Sequence, residues 1–182
     1  LNMLNKKKKA NYVNTGQWSK KAIKEASRYC EVNVVASSEE QNYSCIPSFD
    51  SWEIDPEGAY LHFTPNETIG GVEFFWTPKV DMPIVADMSS TILSRQIEVN
   101  DYGLIYAGAQ KNIGPSGLTI VIIRKDFLGS SLDFTPLMLD YKVHSDAGSM
   151  SNTPPAYSWY MAGLVFQWLK DLGGLSSMET IN

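Results

Sequence analysis

The chain has 182 residues and a formal net charge of −5. That is enough chain for one domain with a sizeable core, and the negative balance argues against nucleic acid as a general partner. No apolar run approaches the ~20 residues of a membrane span, and Leu1-Asn2-Met3-Leu4 is too short for the apolar core of a signal peptide.

Lys6 to Lys9 read as a solvated linker ahead of a first strand, Ala10–Asn14. Thr15-Gly16 turns the chain, and a helix is expected from Trp18 or Ser19 to Cys30, with Ala22, Ile23, Ala26, Tyr29 and Cys30 on one face. Trp18 stands at the strand-to-helix corner, where it either plugs the core or offers a flat face to an aromatic ligand. Glu31–Ala36 reads as a second strand, and Ser37 to Asp55 as irregular with a short helix around Ser48–Trp52. Cys30 and Cys45 have no metal spacing and His62 and His144 lie far apart, so reduced cysteines, no metal site and a cytoplasmic setting are expected.

A third strand is expected over Ala59–Thr64, followed by the polar turn Thr64-Pro65-Asn66-Glu67-Thr68 and a strand Val72–Trp76. Asn66-Glu67-Thr68 has the form of a glycosylation sequon, which is discarded without a secretory signal. Ile84-Val85-Ala86 form a fourth strand with Asp87 at its carboxyl end, where a carboxylate either caps the next turn or faces a ligand. Leu104–Ala107 and Leu118–Ile123 read as buried strands. Between them lies Ala107-Gly108-Ala109-Gln110-Lys111-Asn112-Ile113-Gly114-Pro115-Ser116-Gly117. Lys111 is either a solvated charge or, partly desolvated among small and turn-forming residues, a nucleophile toward a carbonyl.

Beyond Arg124 the pattern is mixed, with a short helix near Asp126–Leu128 and a loop through Asp140. A clear helix follows, with Asn152-Thr153 as its cap, Pro154-Pro155 in its first turn, and Tyr160, Met161, Leu164, Val165, Trp168, Leu169 and Leu172 as its apolar stripe. Gly173-Gly174 stop it, and the last residues look like the opening of another helix. A helix N-terminus bearing Asn and Thr is also a plausible phosphate site. Strands alternate with helices, so the expected class is α/β with a largely parallel sheet.

The segment Ala107–Gly117 resembles the lysine segment of the phosphoserine aminotransferases, pyridoxal-phosphate (PLP) enzymes of fold type I. Asn14–Ala26, Pro65–Val72, Asp87–Arg95 and Asn152-Thr153-Pro154-Pro155 resemble the same family, in unbroken order. The resemblance implies that residues 1–182 form the large, cofactor-binding domain, truncated at both ends. The family's Gly-rich phosphate loop precedes the first residue, and its small C-terminal domain follows the last.

It further implies that Lys111 holds PLP as an internal aldimine and moves the α-proton, and that Asp87 pairs with the pyridine nitrogen. Trp18 stacks on the ring, Thr68 and Gln110 contact the cofactor, and Asn152 and Thr153 reach the cofactor phosphate of the other subunit of a homodimer. The implied reaction moves an amino group from glutamate to 3-phosphohydroxypyruvate. Arg28, Arg95 and Arg124 do not match the family's substrate arginines. The alternatives are therefore a catalytically incompetent fragment that at most dimerises or holds PLP weakly, or another fold type I chemistry such as a desulfurase or decarboxylase.

Overall fold

A computed structural model describes residues 1–4 and 7–182; of the linker expected over Lys6 to Lys9, Lys6 falls outside the described residues, and Lys9 instead opens the first strand, paired with Glu31 and Asp55. In chain order the elements are β1 (Lys9–Asn14), α1 (Gln17–Ala26), β2 (Glu31–Ser37), β3 (Leu61–Phe63), β4 (Asn66–Glu67), β5 (Val72–Glu73), β6 (Ile84–Asp87), β7 (Leu104–Gly108), β8 (Thr119–Ile123), α2 (Tyr141–Asp146), α3 (Ala156–Asp171) and α4 (Gly174–Ile181).

Six strands form one sheet in the order β2-β1-β3-β6-β7-β8, and β4 and β5 form a separate two-stranded hairpin. The first five strands of that order run parallel and β8 runs antiparallel to β7. The reason is connection length. Residues 109–118 join β7 to β8, too few for the crossover that a parallel return needs. The expectation of a largely parallel α/β sheet matches this architecture.

Both faces of the sheet are covered, as parallel sheets require. Successive residues on a strand point to opposite faces. Val13, Leu61, Phe63, Ile84, Ala86, Ile105 and Ala107 face one core, closed by Trp52, Phe74, Met88, Ile92 and Ala162. Ala10, Tyr12, Tyr60, Val85 and Leu104 face the other, closed by Ala22, Ile23 and Ala26 of α1 and by Met3 and Leu4.

Several local expectations need correction. Helix α1 ends at Ala26 and the chain turns through Ser27 to Cys30, leaving Tyr29 exposed. The strand expected over Val72–Trp76 is only Val72–Glu73, because its partner across the hairpin is equally short. Helix α2, which was not expected, follows directly on the loop that ends at Asp140; Asp140 caps it, accepting from the Lys142 amide at 2.9 Å. Helix α3 starts after Pro155 with no side-chain cap, so Asn152 and Thr153 precede the helix instead of capping it. Its expected stripe is also split. Leu169 is buried, whereas Tyr160, Leu164 and Trp168 are exposed. The inward face is Ser158, Ala162 and Leu169, because small Ala162 packs its backbone closely against Gly114.

Candidate active site

The chain leaves β1 toward β2 on one side and returns to β3 on the other, so β1 and β3 flank the switch point of the sheet. Ligands of open α/β sheets bind beyond the carboxyl ends of the strands at such a point. Four strand ends meet there. After β1 comes Trp18 in the first turn of α1; after β3, Thr64 and the hairpin bearing Thr68; after β6, Asp87; after β7, the loop with Gln110 and Lys111.

The lysine loop is anchored from within. Ala109 and Ile113 are buried, and the Ala109 carbonyl accepts from the amides of Ile113 at 3.1 Å and Gly114 at 2.8 Å. Asn112 donates to the Ile92 carbonyl at 2.9 Å, fastening the loop to the segment after β6. Gln110 and Lys111 are left pointing outward, and both are exposed. That corrects the expectation of a partly desolvated lysine: the loop buries its apolar residues and not its amine. The Lys111 ammonium donates to the Thr68 hydroxyl and stands 5.5 Å from the centre of the Trp18 ring. Trp18, Thr68 and Lys111, from three different loops, are thus neighbours. The Gln110 amide folds back over Gly108, where a Cβ would lie 2.6 Å from its Oε1.

Asp87 is held by one residue with two attachments. The Ser89 amide at 3.0 Å and hydroxyl at 2.6 Å both donate to Asp87 Oδ1. The same hydroxyl accepts from the Gly108 amide at 3.0 Å, linking Asp87 to the entry of the lysine loop. Behind Asp87 lie Tyr106, its register partner on β7, and His62 on β3. His62 Nε2 and the Tyr106 hydroxyl are 2.9 Å apart, and His62 stacks on Tyr12 at 4.8 Å. Burial pushes the His62 imidazole down to about 4, against an opposing pull from the Asp87 charge, so it is neutral near pH 7. Burial first, and the Asp87 charge second, push the Tyr106 phenol upward, so it stays protonated.

The rim is stitched at further points. Ser90 donates to the Asn66 carbonyl at 3.0 Å. Arg95 pairs with Glu73 and donates to the Phe74 carbonyl at 2.7 Å, bracing the hairpin. Arg28 pairs with Glu25 and Arg124 with Asp126, so all three arginines of the chain have carboxylate partners within it. Asn152 and Thr153 are exposed, and among the described residues the Asn152 side chain donates to the Thr153 carbonyl at 3.4 Å and to no other group. Neither has a hydrogen bond to the Trp18, Thr68 and Lys111 group. They lie just before Pro155, which packs toward Gly117 at the far end of the lysine loop.

Sequence reading missed Glu67, His62, Tyr106 and Ser89. Buried histidine and tyrosine on a strand carry no local signal. For Glu67 there was one: α1 has glycine at its N-cap and no acidic residue in its first turn, so its amides must be satisfied from elsewhere.

The residues fit a planar, electrophilic cofactor. An amine and an indole face meet from separate loops, and a carboxylate at the end of β6 is joined through Ser89 to the entry of the lysine loop. Among the described residues, four buried polar atoms without a partner, Asn14 Oδ1, Thr15 Oγ1, Trp18 Nε1 and Thr64 Oγ1, sit at the ends of β1 and β3, in the turn after β1 or in the first turn of α1. Such atoms are costly in a folded protein unless something else satisfies them. The fold and site together define an α/β protein that sets a lysine amine beside an indole face at the carboxyl ends of its strands.

The chain belongs to the aminotransferase class-V family, whose model matches residues 1–182. It is 58% identical over 182 residues to the phosphoserine aminotransferase of Vesicomyosocius okutanii, covering all of this chain and 51% of that protein. The chain thus spans about half the length of the curated relatives it matches. Among solved structures it resembles a phosphoserine aminotransferase studied for radiation damage of its Schiff base, with TM-score 0.95 and 46% identity over 98% of this chain and 50% of that one. It also resembles the PLP-bound phosphoserine aminotransferase of Trichomonas vaginalis, with TM-score 0.94 and 39% identity over 99% of this chain and 51% of that one.

Proposed function

We propose that this chain is the cofactor-binding part of a PLP-dependent aminotransferase that moves an amino group from glutamate to 3-phosphohydroxypyruvate. The observation that carries this reading is the meeting of Lys111 with Thr68 and the Trp18 ring, with Asp87 joined to the same loop through Ser89. The similarity to proteins named phosphoserine aminotransferase supports the choice of substrates. When bound, PLP supplies an aldehyde for the lysine amine and an electron-poor ring that stabilises negative charge at the substrate's α-carbon.

Each residue then has a definite task. Lys111 would be the amine that holds the cofactor's aldehyde carbon, and the same amine would carry the proton at the substrate's α-carbon. The Ser89 amide and hydroxyl both donate to Asp87 Oδ1 and hold the carboxylate in place, and Asp87 would pair with a protonated ring nitrogen. Trp18 provides the stacking face and Thr68 fixes the ring edge, while Gln110 supplies an amide to the phosphate. Asn152 and Thr153, which are exposed, would serve the cofactor of a second subunit. The test is to incubate the chain with PLP, reduce with borohydride and map the modified lysine. Label at Lys111, absent in Lys111→Ala, is expected; label spread over other lysines refutes the assignment.

One observation favours a narrower second reading for the chain alone. All three arginines pair with carboxylates of the chain itself, and among the described residues none of them hydrogen-bonds to the Trp18, Thr68 and Lys111 group where substrate would be gripped. The chain alone then binds cofactor without useful turnover. Substrate positioning accounts for roughly 7 kcal/mol or more of a barrier in favourable cases. With PLP, glutamate and 3-phosphohydroxypyruvate, 2-oxoglutarate should form at the rate given by free PLP.

A further inference from the structure

We propose that Glu67 is the positioning residue of the cofactor slot: it locks the Trp18 corner to the Thr68 hairpin and sets the spacing between the indole, Thr68 and Lys111. The inference rests on the reading of this region as a PLP slot. Glu67 is fully buried. Its Oε2 accepts from the Trp18 amide at 2.9 Å and its Oε1 from the Ser19 amide at 2.7 Å. Both carboxylate oxygens are thus spent on the first turn of α1, where a negative charge also meets the positive end of the helix dipole.

A local cap would hold the helix without this arrangement, since Ser, Thr, Asp or Asn at the N-cap commonly does so. Here the N-cap is Gly16, and the Ser19 hydroxyl is turned back to the Thr15 and Gly16 amides at 2.9 and 3.0 Å. The cap instead comes from the hairpin, one residue before the Thr68 that receives Lys111. Gly16 is needed for space and not for backbone freedom, because its φ of 167° is extended. A Cβ there would lie 2.5 Å from Glu67 Cδ and 2.7 Å from Cγ and Oε2.

The hairpin that carries Glu67 is itself stiff. The Gly71 amide returns to the Glu67 carbonyl at 2.7 Å, with Gly71 in the left-handed region at φ 72°. The ring-stacking residue and the lysine's partner therefore move as one body. A second consequence follows for the cofactor's phosphate. The Trp18 and Ser19 amides, which an anion at this helix end would use, already belong to Glu67, so the phosphate is held by other groups.

The experiment uses the 182-residue chain and four variants: Glu67→Gln, Glu67→Ala, Gly16→Ala, and Gly16→Ala with Glu67→Ala. PLP affinity, Trp18-dependent fluorescence quenching, the absorbance of the bound cofactor at saturation and the melting temperature are measured for each. Glu67→Gln keeps one acceptor but sets an amide N–H against a backbone N–H. It should weaken PLP binding about tenfold to a hundredfold, the scale on which small misplacements act, and shift the saturated absorbance. Gly16→Ala should behave alike, by pushing the Glu67 side chain out of its seat. In the double variant the fold should return without the quenching, because the collision is gone and so is the tether. If Glu67→Gln does not fold, the double variant still decides the matter. Wild-type affinity, quenching and absorbance in a folded Glu67 variant, with only a lowered melting temperature, would reduce Glu67 to a helix cap and overturn the proposal. Failure of the wild-type chain to be labelled at Lys111 would overturn the slot reading, and this proposal with it.

Discussion

The Lys111 ammonium stands 5.5 Å from the centre of the Trp18 indole, although the two residues come from opposite sides of the switch point. This relation defines a flat slot whose floor is aromatic and whose side wall is an amine. Adding PLP should therefore quench tryptophan emission, and Trp18→Phe should remove most of that change. Titration of both proteins, followed by fluorescence, checks it. Quenching that is unaltered in Trp18→Phe means the indole only packs the corner.

Asp87 faces a different test. Asparagine in its place can still accept from Ser89 through its carbonyl oxygen, so the Asp87→Asn protein should fold and keep the lysine loop in position. It cannot hold a protonated ring nitrogen by charge. In a full-length protein carrying this segment, Asp87→Asn should lower turnover roughly a hundredfold or more, the scale of losing a preorganised contact at a reacting centre. Steady-state kinetics alongside circular dichroism separates this from misfolding. Near-normal turnover would leave the carboxylate as a turn cap.

His62 makes stability depend on pH. Folded, burial holds its imidazole at about 4, whereas an unfolded histidine titrates near the ordinary ~6.5. Between those values the unfolded chain binds the proton and the folded chain does not, so stability falls as pH drops through this window. The group's share between pH 7 and pH 5 is on the order of 2 kcal/mol. Urea unfolding at both pH values should show that much less dependence in His62→Gln, which can still reach the Tyr106 hydroxyl. Equal slopes in the two proteins would mean His62 keeps its proton balance on folding.

Helix α3 carries an exposed apolar stripe, Tyr157, Tyr160, Leu164 and Trp168, at spacings that fall on one helical face. Tyr157 is 70% exposed, Tyr160 64% and Trp168 55%. Contiguous apolar surface of this kind drives association. The isolated chain should self-associate with rising concentration, and Tyr160→Lys with Trp168→Lys should suppress that while changing the melting temperature by no more than a few degrees. Sedimentation velocity across a concentration series checks the first part and thermal unfolding the second.

Much of this protein was legible from its sequence because the signals are local. Buried parallel strands announce themselves as β-branched apolar runs, as at Ile84-Val85-Ala86 and Leu104–Ala107, and the amphipathic period of α1 gave its inward face at Ala22, Ile23 and Ala26. Strand position put Asp87 at the carboxyl end of one strand and Lys111 in the loop after the next, while the roles expected for them came from the family resemblance. What the sequence could not determine depends on which strand lies beside which. Placing β1 next to β3 brings Glu67 under α1, and it is this long-range cap that leaves Gly16 without a Cβ and joins Trp18 to Thr68. The inward face of α3 was misread for the same reason. Periodicity ranks residues by hydrophobicity, but close packing against Gly114 selected the small Ala162 and turned Tyr160 and Trp168 outward.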